Sequence, residues 1–487
     1  MGLDIRFILK GHDLYHEVQS IVQVFYPNVH YYQTDEVNQN GITVISIIEN
    51  GVSKAELYEN GILKAQSSLE MNYFDNKYLD DEKRELKRFI KTSIYKMLSE
   101  YTKTEISWGI LTGIRPAKNV NELWKKGANN EEVMQVLTQK YLAKPEKVKL
   151  AINVAQAEEK ILKSSDANTA SIYIGIPFCP SRCLYCSFTS FSLKQYGARV
   201  EEYLSALIKE IEYTAQYSKR YKLESVYVGG GTPTSLSETQ LEILLQKISE
   251  NFDISKLKEY TVEAGRPDTI TPKKLELLKQ YGVSRISINP QTMNQKTLDL
   301  IGRKHTVEDI ISVYHTAREL GHKNINMDLI LGLPEETPKD VEYTMQEIKK
   351  LNPENVTVHT LAVKRASRLK ETLDGYNFTA KEDMERMLAI AGSYAESMGM
   401  YPYYMYRQKN MVGNFENVGY CKPNTEGIYN VQIMEEKQTI LSAGAGSTTK
   451  LVYPDGRIER IFNVKSLEDY ISRIDEMLER KRNGLPK

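Results

Sequence analysis

Three cysteines lie close together in the run Ile176-Pro-Phe-Cys179-Pro-Ser-Arg-Cys183-Leu-Tyr-Cys186, where their spacing is C-x3-C-x2-C. Three thiolates on one short loop can close around a single small metal centre. A [4Fe–4S] cluster is normally held by four thiolates. Three cysteines would therefore leave one iron of such a cluster open to a small molecule.

Zinc binding and a disulfide are the alternatives to a cluster at this loop, and both stay open. A structural zinc site needs a closed tetrahedral shell of Cys or His ligands, yet the remaining cysteine, Cys421, is far along the chain and no histidine is near the loop. A catalytic zinc with an open position is unusual at such a loop. A disulfide would leave one of the three thiols unused, and nothing else indicates an oxidising compartment. We therefore favour the cluster, and we interpret Cys421 as a small buried hydrophobe.

Length and charge limit the class of protein. A chain of 487 residues is long enough for two or three domains. Lys+Arg and Asp+Glu both number 64, with no long basic tract, so nucleic acid is not an expected partner. The N-terminal residues lack the apolar core of a signal peptide, and no run approaches the ~20 apolar residues of a membrane span. These features predict a cytoplasmic protein.

Residues 1–165 are predicted to form an N-terminal α+β domain. Asp4–Lys10 and Ile42–Ile48 have strand composition, and Asn50-Gly51 and Asn60-Gly61 are turn signals with strand-like sequence between them. This pattern predicts a three-stranded meander. Residues 79–164 are predicted to be helical, with a compact connector from Trp108 to Pro116.

Residues 166–361 alternate short apolar runs with amphipathic stretches, which predicts parallel β/α units. The six runs are Ile172–Ile176, Ser225–Val228, Tyr260–Ala264, Arg285–Ile288, Ile325–Leu331 and Asn355–Thr360. Six units are too few for a closed eight-fold barrel, so we predict an α/β fold built on a partial (β/α)6 barrel that is open on one side. Chemistry in such folds gathers at the carboxyl ends of the strands, where the cysteine loop falls. Residues 362–487 are predicted to form a C-terminal α+β extension that covers the substrate, with a helix over Lys381–Met398 and a last helix capped by Ser466.

Further polar or flexible residues follow these strands. Gly229-Gly230-Gly231-Thr232-Pro233-Thr234 comes directly after the second run, where free N–H groups could bind an anion. Glu263 and Asp328 interrupt apolar strands, and Gln291 closely follows one. A tight turn would also account for the glycines, and buried structural networks would account for the polar side chains. Arg303 could equally be a solvated surface residue.

Together these motifs resemble the oxygen-independent coproporphyrinogen III oxidase family of radical S-adenosylmethionine (SAM) enzymes. The resemblance rests on Tyr173-Ile-Gly-Ile-Pro-Phe-Cys179 with the other two cysteines, on the glycine segment, and on Asp328-Leu-Ile-Leu-Gly-Leu-Pro334. It is strongest to the HemZ branch, whose extra N-terminal region resembles residues 1–165. The resemblance implies a [4Fe–4S] cluster held by Cys179, Cys183 and Cys186, with SAM on the open iron. It implies SAM contacts, at one site or two, from Tyr173, Gly230, Gly231, Thr232, Glu263, Gln291, Arg303, Asp328 and Ala362. Gly444-Ala-Gly-Ser447 resembles the family's late glycine-rich segment.

The resemblance also implies an activity in haem biosynthesis. A 5′-deoxyadenosyl radical would take a hydrogen atom from a propionate side chain of coproporphyrinogen III, and two rounds of carbon dioxide loss would give protoporphyrinogen IX. This oxidoreductase chemistry needs a low-potential electron donor as well as the tetrapyrrole. Candidate cations for the substrate carboxylates are Arg303, Lys364, Arg365, Arg368, Arg407 and Lys409, and for most of them a solvated surface charge is at least as good an interpretation. The aromatic run Tyr401–Tyr406 could cover a flat macrocycle or be an ordinary core strand. No catalytic residue is assigned.

Two departures leave other functions open. The best-known branch has a histidine at the position of Gly175 and a further cysteine at the position of Phe188. A phenylalanine at that position also occurs in a branch that resembles a haem chaperone. The alternatives are therefore a haem carrier that keeps a SAM and Fe–S site, and a radical enzyme that methylates haem or opens its ring.

Overall fold

The structure is a computed structural model that describes residues 4–27, 29–72, 78, 81–165, 168–188, 190–362, 379–408 and 414–486. These residues form two compact units. The first unit comprises Met1–Ala155 with Met405–Glu416, and the second comprises Gln156–Tyr404 with Asn417–Lys487. The predicted boundary after residue 165 falls close to the division at residue 155, whereas residues on both sides of the predicted boundary at 361 belong to the second unit. The three-domain division stays a prediction.

The first unit contains a five-stranded sheet among its described residues, with the order β2-β1-β3-β4-β5. Its strands are β1 Asp4–Lys10, β2 His30–Gln33, β3 Ile42–Glu49, β4 Val52–Glu59 and β5 Ile62–Glu70. Strands β3, β4 and β5 pair antiparallel, so the predicted meander is confirmed. Both Asn-Gly turns have positive φ at both residues, 50° and 74° at Asn50 and Gly51 and 51° and 79° at Asn60 and Gly61. Asparagine and glycine tolerate this conformation best, which is why the two dipeptides mark hairpins.

Helices make up most of the remaining described part of residues 1–165. They are α1 Tyr15–Phe25, α2 Glu82–Thr102, α3 Ala117–Lys125, α4 Asn130–Gln139 and α5 Pro145–Lys163. The predicted helical character is confirmed for the described residues 81–164, but α1 was not predicted. Apolar residues of α1, α2 and the sheet form one core, in which Phe7, Val18 and Ile94 are fully buried.

The connector from Trp108 to Pro116 binds residues of the segment 405–416 within the first unit. The indole Nε1 of Trp108 donates to Glu416 Oε2 at 2.8 Å, and Lys147 forms an ion pair with the same carboxylate. Arg407 is 2% exposed. Its guanidinium donates to the Leu111 carbonyl at 2.6 Å and to the Gly113 carbonyl. The proposal that Arg407 binds a substrate carboxylate is therefore wrong, because this cation is buried and already donates to two backbone carbonyls.

An eleven-stranded sheet runs through the described part of the chain in the order β14-β15-β13-β12-β11-β10-β9-β6-β16-β17-β18. Its strands are β6 Thr169–Ile176, β9 Lys222–Gly230, β10 Glu259–Gly265, β11 Arg285–Ile288, β12 Ile325–Leu331, β13 Asn355–Thr360, β14 Tyr401–Arg407, β15 Glu416–Cys421, β16 Thr439–Ala443, β17 Thr448–Val452 and β18 Ile458–Phe462. A separate pair consists of β7 Phe178–Cys179 and β8 Phe191–Ser192. The six predicted barrel strands lie side by side and pair in parallel, so the predicted α/β fold with six parallel strands is confirmed.

Helices separate these strands, as the alternating sequence pattern predicts. They are α6 Leu193–Tyr196, α7 Val200–Ser218, α8 Glu238–Asn251, α9 Pro272–Gln280, α10 Gln295–Leu300, α11 Val307–Glu319, α12 Pro338–Leu351, α13 Lys381–Ser397, α14 Ile428–Glu435, α15 Leu467–Ser472 and α16 Ile474–Gly484. The predicted last helix is divided at Arg473, and Ser466 caps its first part by accepting from Asp469 N at 3.2 Å. In the described ranges, no helix has both the length and the apolar character needed to cross a membrane.

Strands of the C-terminal region extend the same sheet. Strand β16 pairs in parallel with β6, so Ser442 lies opposite Tyr173. On β6 and β9, Ile172, Ile174 and Val226 are fully buried, while the intervening Tyr173 and Tyr227 are partly exposed. This alternation gives the sheet one packed face and one face that can line a site.

Candidate active site

The cysteine loop, which carries Cys179, Cys183 and Cys186, begins where β6 ends. Cys179 ends the short strand β7, Cys183 is buried and Cys186 is partly exposed. A turn in which Cys186 N donates to the Cys183 carbonyl at 3.1 Å brings the last two cysteines together. Burial raises the pKa of the Cys179 thiol to about 11, and the neighbouring Cys183 and Cys186 thiols act in the same direction. These thiols must lose their protons to bind metal, so metal binding here would release protons.

The glycine segment after β9 is hydrogen-bonded directly to the cysteine loop. Gly231 N donates to the Ile176 carbonyl and Thr232 N donates to the Phe178 carbonyl, both at 2.8 Å. The hydroxyl of Thr232 is 3.4 Å from Cys179 Sγ. A Cβ at residue 231 would be 2.6 Å from the Phe178 carbonyl oxygen, so only glycine permits this approach. The cysteine loop and the glycine segment therefore form one continuous wall.

Glu263 faces the glycine segment from the neighbouring strand β10. Its carboxylate accepts a hydrogen bond from the Tyr227 hydroxyl at 2.5 Å and one from Gly230 N at 3.2 Å. Burial, and then the charge of Asp328, raise the pKa of Glu263 to about 7. The ring of Tyr227 stacks on Tyr429 of α14 with centroids 4.4 Å apart, and Tyr173 stacks against both rings at 6.1 to 6.3 Å. Tyr227 and Tyr429 were missed, because nothing in the sequence shows that residues from distant segments meet here.

Gln291 and Asp328 meet on adjacent strands. Gln291 has a positive φ of 70° and forms a bridge with β12, in which Gln291 N donates to the Asp328 carbonyl at 2.9 Å. The Asp328 carboxylate accepts from Asn326 Nδ2 at 2.7 Å and is 3.9 Å from His359 Nε2. Although burial opposes ionisation, His359 and Asn326 hold the pKa of Asp328 below its usual value. A half-buried anion is therefore kept at this end of the sheet.

Two buried arginines flank the cysteine loop. Arg303 is 6% exposed, which shows that it is not a surface charge. Its Nη1 donates to the Asn289 carbonyl at 2.5 Å, and its Nη2 donates to the hydroxyl of Tyr185, a residue of the loop, at 3.2 Å. Arg266, which sequence analysis missed, follows β10 and is 3% exposed. In the sequence, the position of this residue three places after Glu263 was the signal that could have identified it as part of the site.

The remaining predicted residues lie at the same end of the sheet. Ala362 is the second residue after β13, and the intervening Leu361 donates its N–H to the Leu331 carbonyl at 2.9 Å. Gly444 follows β16, and a Cβ there would be 2.6 Å from the Gly175 carbonyl oxygen. Cys421 lies elsewhere, because it is fully buried and pairs with Asn355 at the amino end of β13. It packs as the predicted hydrophobe, at the opposite end of the strand from Ala362.

The donor set suits a cluster better than a single ion. Within the described ranges, no three His, Cys, Asp or Glu side chains are grouped closely enough to hold one metal ion. A four-iron cluster needs a wider spacing, because each thiolate binds a different iron. Cys179, Cys183 and Cys186 share one buried loop and could supply three such ligands. Four of the six candidate substrate cations, Lys364, Arg365, Arg368 and Lys409, lie outside the described residues.

Comparison with known proteins identifies the family. Residues 173–348 match the family model described as the Radical SAM superfamily. The chain is 40% identical over 406 residues to the oxygen-independent coproporphyrinogen-III oxidase-like protein HemZ of Bacillus subtilis, covering 82% of this chain and 81% of the relative. It is 33% identical to the heme chaperone HemW of the same organism over 63% of this chain and 76% of the relative.

A solved structure shares the fold. The coproporphyrinogen III oxidase HemN from Escherichia coli, a radical SAM enzyme, matches with a TM-score of 0.50 and 22% identity. The match covers 66% of this chain and 73% of that chain. The chain belongs to the radical SAM superfamily and, within it, to the family of oxygen-independent coproporphyrinogen III oxidases and their HemZ and HemW relatives.

Proposed function

We propose that the protein is an oxygen-independent coproporphyrinogen III oxidase, which converts two propionate side chains to vinyl groups and yields protoporphyrinogen IX. The observation that carries the proposal is the wall formed by the cysteine loop and the glycine segment, with Glu263 bonded to it. The HemZ relative, which is similar over most of both chains, supports the choice of substrate.

Each part of the site has a proposed task. Cys179, Cys183 and Cys186 would hold the [4Fe–4S] cluster, and the segment Gly230–Thr232 with Glu263 would hold SAM. The bound cofactors supply one-electron cleavage of SAM and removal of a hydrogen atom from the substrate. Further SAM contacts, at one site or two, are proposed for Tyr173, Gln291, Arg303, Asp328 and Ala362.

The protein's own contribution is orientation and exclusion of water. An ionised Glu263 carboxylate offers an anion to the positively charged methionine end of SAM, and its two hydrogen bonds fix the direction of that anion. The stacked rings of Tyr173, Tyr227 and Tyr429 lie beside it and limit the access of water to the polar groups. An external low-potential donor would supply the electron that cleaves SAM, and an electron acceptor would take the one electron that the substrate radical loses together with carbon dioxide. Among the described residues, Arg303 is the candidate for contact with a substrate carboxylate.

A product assay tests the proposal. Reconstituted protein, dithionite, SAM and coproporphyrinogen III are incubated without oxygen, and the tetrapyrroles are separated by chromatography. We expect products with one and then two vinyl groups, and none with Cys183→Ser, which lacks a cluster ligand. Unchanged substrate from protein that carries a full cluster and cleaves SAM would contradict the oxidase assignment.

Phe188 favours a second candidate, a haem carrier. This large apolar side chain is 69% exposed two residues after Cys186, and the HemW relative is a heme chaperone. Exposed aromatic surface can bind a flat apolar ligand. Stoichiometric haem binding that weakens in Phe188→Ser, without any vinyl product, would support the carrier. Methylated or linear tetrapyrroles would instead indicate methyl transfer or ring opening.

A further inference from the structure

Arg266 lies against the cysteine loop and contacts one of its thiols. The residue follows β10, and its Nη1 donates to Ser181 Oγ at 2.9 Å and to the Ser181 carbonyl at 3.1 Å. The same Nη1 is 3.7 Å from Cys183 Sγ, a hydrogen-bond distance for sulfur. In the metal-bound protein this thiol would be a thiolate, a stronger acceptor. A buried cation is thus directed at a candidate metal ligand.

A second contact fixes the orientation of this guanidinium. Asp268 binds its other edge with both carboxylate oxygens, at 2.9 Å from Nε and 2.6 Å from Nη2. Such a two-point pair holds the plane of the guanidinium and leaves Nη1 directed at the loop. His305, which is 1% exposed, has its Nδ1 3.7 Å from Asp268 and closes the far side. Arg266 cannot turn away without breaking this pair.

We infer that Arg266 sets the reduction potential of the cluster by stabilising its reduced state. The inference rests on the proposed function, because it takes a [4Fe–4S] cluster as the group that Cys183 binds. A four-iron cluster with three thiolates is anionic and gains one further negative charge on reduction. A fixed cation that donates a hydrogen bond to a ligating sulfur stabilises the more negative state. Asp268 weakens this effect, but it binds the edge of the guanidinium away from the thiol.

The same unit contains a second arginine that forms a similar two-point pair with a carboxylate and can serve as a control. Arg318 also pairs with both oxygens of one carboxylate, Glu354, at 2.7 to 2.9 Å. Glu354 accepts from Ile325 N at the amino end of β12, the end of the strands opposite to the cysteine loop. Replacing either arginine by glutamine removes one charge from a carboxylate pair. Only Arg266→Gln removes it beside the thiols, so Arg318→Gln is a matched control.

The test is a redox titration of the full-length protein, reconstituted without oxygen and free of SAM, followed by electron paramagnetic resonance of the reduced cluster. At one applied potential, Arg266→Gln should contain about tenfold less reduced cluster relative to oxidised, a shift of about 59 mV for a one-electron couple. Iron and sulfide content should stay at the wild-type level. Arg266→Lys, which keeps the charge, should recover most of the shift, and Arg318→Gln should show none.

Asp268→Asn separates a charge effect from a structural one. Removing this anion should shift the potential in the positive direction, opposite to Arg266→Gln, whereas loosening of the loop would move both variants the same way. An unmoved potential in Arg266→Gln at full iron content, or equal signs in the two variants, would overturn the inference. If Arg266→Gln holds no iron, Asp268→Asn decides alone: a positive shift supports the inference and any other result refutes it. Wild-type protein that takes up no four-iron cluster refutes the proposed function itself, and a wild-type cluster with unmoved variants refutes only the role of Arg266.

Discussion

Glu263 should make the apoprotein less stable as the pH rises, and Glu263→Gln should remove this penalty. The pKa of Glu263 rises from 4.5 to about 7 on folding because its carboxylate is buried. Between these two values the folded state holds a proton that the unfolded state has lost, so the free energy of unfolding falls as the pH increases. At about 1.36 kcal/mol for each pH unit, the full penalty above pH 7 is about 3 kcal/mol.

Glu263→Gln removes the cost of the buried charge, but it also loses a hydrogen bond, so the net gain in stability is smaller than the full penalty. An amide can still accept from the Tyr227 hydroxyl, but its nitrogen cannot accept from Gly230 N, which costs about 1 kcal/mol. At pH 8.5 we therefore expect Glu263→Gln to be more stable than wild type by about 2 kcal/mol. At pH 5.5 most of the penalty in the wild type is gone, and the two proteins should have nearly equal stability.

Urea unfolding of the reduced apoprotein, followed by circular dichroism at both pH values, measures the difference. The exposed Glu250→Gln on α8 is the control and should unfold at the same urea concentration as wild type at both pH values. Equal stability of Glu263→Gln and wild type at pH 8.5 and 5.5 would show that Glu263 is not held in a low-dielectric site. In the cluster-loaded protein the same variant should bind SAM about tenfold more weakly at pH 8, measured by calorimetry, with iron content unchanged.

Three further outcomes are expected. Cys183→Ser should lose the brown absorption of the reconstituted cluster, and an unchanged spectrum would place the ligands elsewhere. Gly231→Ala should lower cluster content and SAM affinity, since its Cβ would meet the Phe178 carbonyl oxygen at 2.6 Å, and wild-type values for both would refute that reasoning. Lys481→Met should reduce the free energy of unfolding by about 3 kcal/mol, because Glu210, fully buried and 2.9 Å from Lys481 Nζ, would lose its cation. Urea unfolding checks the last value, and adding Glu210→Gln should restore part of it.

Local signals predicted much of the fold. The Asn-Gly dipeptides marked both hairpins of the first unit, because few other pairs of residues adopt a positive φ at both positions. The six parallel strands followed from the alternation of apolar runs and helices. What local sequence could not predict is long-range pairing. Strand β16 joins the sheet beside β6, and β1 pairs in parallel with β3, which lies more than thirty residues further along the chain.

Prediction of the candidate site from the sequence is limited in the same way. The cysteines and glycines were found because their spacing is distinctive in itself. Arg266 was missed because its role depends on Ser181 and Asp268, which only the folded chain brings to it. Arg407 was misjudged for the converse reason, since a positive charge in a sequence does not reveal that the side chain will be buried and bonded to backbone carbonyls.

The position of β16 bears on when the site can be assembled in the cell. Its residues, Thr439–Ala443, are added to the sheet beside β6 and bring Gly444 against Gly175, close to the cysteine loop. During translation the N-terminal parts of a chain emerge and fold first. Translation must therefore pass residue 443 before the first barrel strand gains its second neighbour. Gly444 is accordingly brought against Gly175 only after the cysteine loop and all six predicted barrel strands have been synthesised.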